Sequence, residues 1–194
     1  GYYGEYCETC IVYVDINSSA GSPDGSSWAM AYQSLQDGVN EAASLGCDVW
    51  VAEGRYSLFS YVDARLYLDA VGVYGGFVAG DQDLELRDPR AFPTIIDGLG
   101  SSTHAVYCHD EYCTDDTRLD GFVITGGYAS NNGHVVDGRG GGLFIDSTES
   151  PVFANIQFVG NRAIDYGGAV YVRDGSPEFY DCVFSDNRID TGGL

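Results

Sequence analysis

The chain has 194 residues, of which 44% are hydrophobic, and it carries 29 acidic side chains against 9 basic ones, all arginine, for a formal net charge of −20 at pH 7. This charge argues against nucleic acid and anionic membrane surfaces as partners, because each phosphate contact requires a cation that the chain mostly lacks. The hydrophobic content predicts a folded core rather than a disordered chain, and no apolar run approaches the roughly 20 residues needed to cross a bilayer.

The first ten residues, "GYYGEYCETC", form a separate short segment. They resemble the tail of an epidermal-growth-factor-like or laminin-type module, in which Gly-aromatic-x-Gly precedes a terminal cysteine. The resemblance implies a secreted protein and a partner for Cys7 upstream of this segment. We therefore interpret residues 1–10 as the end of a Cys-rich module.

Residues 11–47 predict one strand and one helix. The stretch "IVYVDIN" (11–17) alternates apolar and polar residues, as strands do. Ser34, with an acid three residues later, predicts a helix N-terminus, and Gly46 predicts its end. Apolar residues recur at helical spacing at Leu35, Val39, Ala42 and Ala43. We expect this one apolar face to cap the open end of a stack of strands.

Residues 48–194 contain short apolar strands separated by Gly, Asp, Asn and Pro, among them "CDVWVAEGRY", "PTIIDG", "HAVYC" and "RLDGFVITGG". No further helix pattern lies between them to build crossovers. Parallel strands need a long connection, which a chain that winds round itself supplies by its own turns. The sequence therefore predicts an all-β fold, a right-handed parallel β-helix with a short N-terminal capping α-helix.

A repeat supports this prediction. Residues 141–166 fall on residues 167–192 at a constant offset of 26. The matching phrases are Gly141-Gly142 with Gly167-Gly168, Ser150-Pro151 with Ser176-Pro177, and Phe158-x-x-Asn161 with Phe184-x-x-Asn187. Self-similarity at one period of this length is the signature of a solenoid.

Two phrases of the repeat are predicted to bend the chain. Asn161 and Asn187 are expected at one corner, where an Asn adopts left-handed dihedrals and where stacked Asn side chains bond to each other. Gly167 and Gly168 are expected at a second corner, where a side chain would block the bend. We interpret these four as structural residues rather than as a binding site.

Three apolar positions of each repeat are predicted to point inward. The pairs are Phe153 with Phe179, Ile156 with Cys182, and Phe158 with Phe184. Stacked in successive turns, they should fill the interior as continuous columns, with Cys182 as a buried apolar thiol.

The remaining cysteines are assigned by position. Cys108 and Cys113 flank a four-residue loop and predict a disulfide, with a zinc site that includes His104 or His109 as the alternative. Cys10 and Cys47 each precede an apolar strand and offer a second pair, although the pairing among Cys7, Cys10 and Cys47 stays open.

Gly167-Gly168-Ala169-Val170 together with the two Phe-x-x-Asn phrases resembles the repeats of chlamydial polymorphic outer-membrane proteins. The phrases "YVD", "DGSSWA", "LQDG", "VWVAEGRY", "YGGF", "TIIDG" and "DGFVITGG" are similar to the opening of large secreted bacterial β-helix proteins of the pectin-lyase-like fold. The resemblance implies an extracellular or outer-surface protein, often an adhesin or passenger domain, that continues beyond Leu194.

The same fold also hosts enzymes that act on acidic polysaccharides, so catalysis depends on residues and not on fold. Asp115-Asp116 and Gly133-His134 imitate part of a hydrolase set, but the Arg-x-Lys phrase of that set requires a lysine that the chain lacks. The acidic residues Asp110, Glu111, Asp115 and Asp116 form a loop that makes Ca²⁺ possible, with a solvated loop as the simpler interpretation.

These observations predict a non-catalytic extracellular or bacterial outer-surface scaffold of adhesin type, with no cofactor. Its partners are expected to be a cell-surface glycan or protein, and the irregular segment 128–140 is the preferred binding surface. The alternatives are a polysaccharide lyase or hydrolase, and a subunit of an extracellular fibre that self-associates through exposed strand edges.

Overall fold

The computed structural model of the chain describes residues 10–58, 65–100, 103–109, 112–130 and 138–190. The segment predicted to end a Cys-rich module, residues 1–10, lies outside the described residues apart from Cys10. The described parts of the two other predicted units, 11–47 and 48–194, share one apolar core, in which Val14 and Leu35 belong to the same buried cluster as Ile124 and Phe158.

The described residues form a mainly β structure, which confirms the predicted all-β class. They contain one α-helix, α1 (Leu35–Leu45), and two single-turn 3-10 helices, Trp28–Met30 and Leu84–Leu86. Every strand pairing among them is parallel.

The strands assemble into four sheets, named here by number. Sheet 1 contains, in order, β1 (Ile11–Val14), β2 (Asp48–Ala52), β5 (Gly72–Phe77), β8 (Arg118–Asp120), β12 (Val152–Ala154) and β16 (Glu178–Tyr180). Sheet 2 contains β3 (Gly54–Ser57), β6 (Thr94–Asp97), β9 (Phe122–Thr125), β13 (Gln157–Val159) and β17 (Val183–Ser185). Sheet 3 contains β4 (Leu66–Tyr67), β7 (Val106–His109), β11 (Leu143–Asp146) and β15 (Val170–Asp174). Sheet 4 contains β10 (Tyr128–Ala129), β14 (Arg162–Ala163) and β18 (Arg188–Ile189).

The chain enters the sheets in a repeating order. Strands β2, β3 and β4 belong to sheets 1, 2 and 3, and strands β5, β6 and β7 return to these sheets in the same order. From β8 onward, sheet 4 is entered between sheets 2 and 3. We call one such passage a circuit. Each circuit hydrogen-bonds to the circuits before and after it, which explains how strands this short become stable.

The predicted inward columns are confirmed where two circuits cover them. Phe153, Ile156 and Phe158 are fully buried. Phe153 stacks on Phe179 with ring centroids 5.2 Å apart, and Phe158 stacks on Phe184 at 4.9 Å. The inward residues Phe153, Ile156 and Phe158 therefore belong to the continuous apolar core.

The last described circuit is covered on one side only. Phe184 is 53% exposed, although its ring continues the column of Phe158. Cys182, predicted to be buried, is only partly buried for the same reason, and burial raises the pKa of its thiol.

Helix α1 has the boundaries that the sequence predicts. Ser34 Oγ accepts a hydrogen bond from the Asp37 N–H (3.2 Å), and Gly46 ends the helix in the left-handed conformation. The buried face, Leu35, Val39 and Ala42, packs against β1, β2 and β4. A disulfide between Cys10 and Cys47 joins the segment before β1 to the segment after α1.

The structure pairs the glycines differently from the repeat alignment, which matched Gly141-Gly142 with Gly167-Gly168. Leu143 pairs with Val170, so that Gly140 and Gly141, not Gly141 and Gly142, correspond to Gly167 and Gly168. Gly140 and Gly167 share the left-handed conformation, with φ of 63° and 61°. The offset is 27 from Leu143 to Ile145 (170 − 143 and 172 − 145), and a bulge between Ile145 and Asp146 raises it to 28 (174 − 146). It is 26 again where Val152 pairs with Glu178 (178 − 152).

The corner formed by the two asparagines also differs from the prediction in one detail. Asn161 and Asn187 follow β13 and β17, but the left-handed conformation belongs to the residues before them, Gly160 (φ 67°) and Asp186 (φ 56°). This frees the asparagine side chains to bond across circuits. Asn161 Nδ2 donates to Asn187 Oδ1 at 3.1 Å.

Candidate functional site

The cysteines and histidines predicted as alternatives around β7 lie close together in the fold. Cys108 and Cys113 are joined by a disulfide. The His104 ring stacks on Phe144 with centroids 4.9 Å apart, and His109 contacts the Tyr107 ring at 5.0 Å. The two disulfides are compatible with an extracellular location. Within the described ranges, no helix has the length and apolar character of a bilayer-spanning segment.

The acidic loop is only partly described. Asp110, Glu111 and His134 lie outside the described residues, so the predicted Ca²⁺ loop and the hydrolase-like set are not assembled by what the structure describes. Asp115 and Asp116 are exposed, and Asp115 Oδ1 accepts a hydrogen bond from the Ser150 N–H at 2.8 Å. In the part of the chain that the structure describes, no three His, Cys, Asp or Glu side chains are grouped to hold a metal ion.

The segment 128–140, the preferred binding surface, is described at its two ends. Residues 131–137 lie outside the described residues. At the second end, the Arg139 guanidinium lies over the rings of Tyr166 and Tyr171, 5.3 Å from each centroid, and Nη1 donates to Tyr171 Oη at 3.3 Å. The segment therefore ends against aromatic side chains of the following circuit.

The Tyr171 ring belongs to a row of aromatic side chains that was not predicted from the sequence. Tyr67, Tyr107, Phe144 and Tyr171 are register partners in sheet 3 and form an aromatic column. Successive ring centroids lie 5.7, 5.5 and 5.6 Å apart. The neighbouring residues Val106, Cys108, Leu143 and Ile145 belong to the interior core, so the aromatic column lies on the opposite, outer face of the sheet.

A sequence signal for the column existed. The phrases "RLYL", "AVYC", "GLFI" and "AVYV" each place one aromatic residue between two aliphatic or cysteine residues. Alternation in a strand sends the aromatic residue to the face opposite its neighbours. The signal becomes visible only when the four phrases are aligned as strands of one sheet.

A cavity of about 360 Å³ lies at the N-terminal end of the aromatic column. Its lining comes from α1, β4, β7 and the residues that follow β4 and β7: Gln36, Asn40, Tyr67, Leu68, Asp69, His109 and Tyr112. Tyr67 is 40% exposed and Tyr112 is 54% exposed. We call this feature the tyrosine cavity.

Gln36 joins α1 to the edge of sheet 3 beside this cavity. Its Oε1 accepts a hydrogen bond from the Tyr67 N–H (2.8 Å), and its Nε2 donates to Tyr67 O (3.2 Å). The side-chain amide thus bonds both backbone groups at the edge of β4, as a neighbouring strand would. Nε2 also donates to Asn40 Oδ1 at 2.9 Å, which orients the Asn40 amide at the cavity wall.

A second, larger depression of about 720 Å³ lies beside sheet 2. We call it the arginine groove, and its lining is Glu85, Leu86, Arg87, Asp88, Pro89, Arg90, Asn155, Gln157, Asp181 and Val183. Beneath it, Asp120 joins two strands to the groove wall, with Oδ1 bonded to Arg87 Nη2 (3.0 Å) and Asn155 Nδ2 (2.8 Å) and Oδ2 bonded to Arg118 Nη2 (2.7 Å). The Asp120 side chain is only 2% exposed.

Asp120 gives a testable pH dependence. Burial alone would raise the pKa of Asp120, but hydrogen bonds from Asn155 and Arg118 and the charge of Arg87 hold that pKa below its ordinary value of 3.8. A carboxylate whose pKa is lowered by folding stabilises the fold above its unfolded pKa, and this contribution is lost as the pH falls through the folded pKa. We expect Asp120→Asn to lower the free energy of unfolding by about 2 kcal/mol at pH 7, because hydrogen bonds to a charged group are lost. Urea unfolding at pH 7 and pH 3 should show that this difference shrinks in acid.

The matched control is Asp116→Asn, which changes an exposed carboxylate. We expect it to alter stability by less than about 0.5 kcal/mol at both pH values. A destabilisation by Asp120→Asn that is equal at pH 7 and pH 3 would contradict a lowered pKa.

Comparison of the chain with models of protein families, with curated protein sequences and with solved structures finds no match. The class defined by the described residues is a mainly β protein of stacked parallel sheets, and these residues contain one α-helix and two disulfides. Function has to be argued from the outer faces of these sheets.

Proposed function

We propose that the chain is a right-handed parallel β-helix in which each circuit is one coil, and that it acts as a non-catalytic extracellular scaffold of adhesin type. Support for the coil comes from the repeated order of sheets 1, 2 and 3 and from parallel pairing at every step. Right-handedness follows from the strong chiral preference of connections between parallel strands. Helix α1 then acts as the cap of the first coil.

The observation that carries the adhesin proposal is the aromatic column on the outer face of sheet 3. Cross-strand aromatic pairs stabilise a sheet, so the part of the column that is left to contact a partner is its exposed ends. At one end of the column Tyr67 is exposed and shares the tyrosine cavity with the exposed Tyr112, and at the other end Tyr171 contacts the ring of Tyr166, which is 57% exposed. Tyrosine and arginine, together with tryptophan, are enriched among the residues that carry most of the binding energy of protein interfaces.

The arrangement also supplies rigidity. Tyr107 and Phe144 are almost fully buried, with 8% and 0% exposure, so the exposed rings rest on an ordered base. A ring held in place loses little conformational entropy when a partner binds. Arg65 lies over the Tyr67 ring and Arg139 over the Tyr166 ring, so a guanidinium group lies beside the exposed tyrosines at each end of the column.

The composition suits an outer-surface location, and the partner that fits this face is a cell-surface glycan or protein. A net charge of −20 keeps the molecule soluble and repels anionic surfaces, so binding has to come from local contacts such as these rings. Resemblance to chlamydial polymorphic outer-membrane protein repeats points in the same direction.

The proposal is tested by adhesion. Beads coated with the protein should bind cultured cells or extracellular matrix in a saturable manner, and the double variant Tyr112→Ala/Tyr166→Ala should reduce this binding by about tenfold, since exposed aromatic anchors carry much of the energy of an interface. Leu86→Ala is the control, because Leu86 is 60% exposed but lies at the arginine groove.

Three results would overturn the proposal. Equal binding by the double variant would exclude the aromatic column. Release of unsaturated or reducing ends from acidic glycans would favour the polysaccharide-active enzyme. Light scattering that grows with time into filaments, without adhesion, would favour the fibre subunit.

A further inference from the structure

We propose that the tyrosine cavity is a binding site for a short neutral saccharide. This inference rests on the proposed adhesin function and names the ligand class of one part of the surface. The cavity is concave and its volume of about 360 Å³ is at the lower end of the range of about 300–1,000 Å³ for small-ligand sites. A ligand of one or two sugar rings is therefore the class considered.

The lining combines the two surfaces that a sugar ring requires. A pyranose ring has an apolar C–H face and a rim of hydroxyl groups. Tyr67 and Tyr112 present partly exposed rings for the apolar face, together with phenolic hydroxyls that both donate and accept. An amphipathic ligand fits this lining better than a purely apolar one does.

The polar groups of the cavity suit hydroxyl groups. Asn40 accepts from Gln36 through Oδ1, so its Nδ2 is left to donate to a ligand oxygen. Asp69 uses Oδ1 to accept a hydrogen bond from the Ala70 N–H (2.8 Å), and its second carboxylate oxygen is an acceptor for a ligand hydroxyl. A donor and an acceptor on the same cavity can bond two hydroxyls of one sugar ring.

The charge of the site selects a neutral ligand. The Asp69 carboxylate lines the cavity itself, whereas the Arg65 guanidinium lies over the rings of Tyr67 and Tyr107, 5.8 and 5.2 Å from their centroids, and is not part of the lining. The whole chain carries 29 acidic side chains against 9 basic ones. A uronic or sialic acid would bring its carboxylate beside Asp69 and would be repelled. Neutral hexoses and N-acetylhexosamines carry no such penalty.

The site is also held rigid without a ligand. Gln36 fixes Tyr67 through two backbone hydrogen bonds, and the Tyr67 ring contacts Tyr107 at 5.7 Å. Tyr112 precedes Cys113, whose disulfide with Cys108 ties it to β7. The disulfide therefore positions Tyr112 at the cavity. Because the walls of the cavity are already ordered, ligand binding loses little conformational entropy of the protein.

The test titrates the purified chain with D-glucose, D-galactose, N-acetyl-D-glucosamine and their disaccharides, followed by saturation-transfer NMR and calorimetry. We expect at least one of these probes to bind, with affinity about tenfold lower for Tyr112→Ala, because the exposed ring is the stacking surface. Tyr166→Ala, an equally exposed tyrosine at the other end of the aromatic column, should bind as the unmodified chain does. D-galacturonate and N-acetylneuraminate should bind more weakly than the neutral sugars.

A second variant separates positioning from direct contact. Cys108→Ala/Cys113→Ala changes no residue of the cavity lining but removes the disulfide that positions Tyr112, so we expect weaker saccharide binding at unchanged ligand preference. Circular dichroism and the melting temperature verify that each variant is folded at the temperature of the titration.

Several outcomes overturn the inference. These are no binding by any neutral sugar, unchanged affinity of Tyr112→Ala, or a preference for the acidic sugars. Binding of peptides instead of sugars, in a matched peptide array, would also overturn it. If the beads adhere to cells while the sugars do not bind, the saccharide site fails and the adhesin function stands. If the sugars bind while adhesion is absent, the adhesin function fails and the saccharide site stands.

Discussion

Replacing Asn161 by alanine is expected to lower the free energy of unfolding by about 4 kcal/mol, since two buried backbone groups lose their partners at once and each unsatisfied group costs about 1–3 kcal/mol. Asn161 Oδ1 accepts from the Gly127 N–H (3.0 Å), and Nδ2 donates to Ile124 O (2.8 Å) and to Asn187 Oδ1. The side chain is fully buried, so water cannot replace these bonds. Urea unfolding followed by circular dichroism measures the loss.

Asn187→Ala is the matched control, because it removes the same side chain from the last described circuit. Asn187 Nδ2 donates to Phe158 O (2.8 Å), and its Oδ1 accepts from the Asn161 N–H (3.0 Å), but Asn187 is only partly buried. We expect a loss of about 1 kcal/mol, because the space left by the partly exposed Asn187 side chain is open to water, which can then bond Phe158 O and the Asn161 N–H. Equal losses for the two variants would show that burial by the next circuit does not control the energy of the corner.

A third variant examines the chemistry of the Asn161 bonds at constant volume. Asn161→Asp replaces a donor by a carboxylate oxygen that faces Ile124 O and Asn187 Oδ1. Because an acceptor would then oppose two acceptors, we expect a loss at least as large as that of the alanine variant at pH 7. A stability close to that of the unmodified chain would mean that the bonds through Nδ2 contribute little.

Gly141→Ala is expected to cost about 3 kcal/mol, at the upper end of the usual cost of overpacking. A Cβ at Gly141 would lie against Arg162 O and only 2.6 Å from Gly168 O. Both contacts are backbone atoms of the following circuit, which cannot move aside as a flexible side chain can. Thermal and urea unfolding measure the loss.

Gly21→Ala serves as the control, since a Cβ there meets no atom within 4 Å and the backbone does not require glycine. We expect its stability to stay within about 0.5 kcal/mol of the unmodified chain. If Gly141→Ala were equally neutral, the circuits would have to be able to separate at this corner, and the tight stacking of glycine on backbone would be wrong.

Local patterns in the sequence were sufficient for several elements. The cap at Ser34, the end at Gly46 and the apolar face of α1 depend on residues within a few positions of each other, and all three are confirmed. The inward direction of Phe153 and Phe158 follows from strand alternation and from one repeat of the chain. The mainly β class follows from the same short strands and turns.

The register between circuits could not be obtained in this way. Partner residues in sheet 1 are separated by 24 positions between Val49 and Val73, by 46 between Val73 and Leu119, by 34 between Leu119 and Phe153, and by 26 between Phe153 and Phe179. Only the last separation appears as a repeat in the sequence. Insertions of different lengths between the strands leave the strands in register but remove any constant period from the sequence. Within the one visible repeat, a bulge in β15 changes the register once more.

The candidate site was also only partly predictable from the sequence. Each phrase with a central aromatic residue is readable in the sequence as a strand, yet its outer row becomes a column only when four circuits lie in register. The tyrosine cavity brings together Gln36, Tyr67 and Tyr112, which come from three separate parts of the chain. The buried Asp120 carboxylate likewise bonds to both Arg87 and Asn155. The sequence by itself determined the local bends, the cap and the apolar rows, because these depend on neighbouring residues. Only the tertiary structure decided which side chains meet, because those contacts depend on how many residues each circuit inserts before it returns to the same sheet.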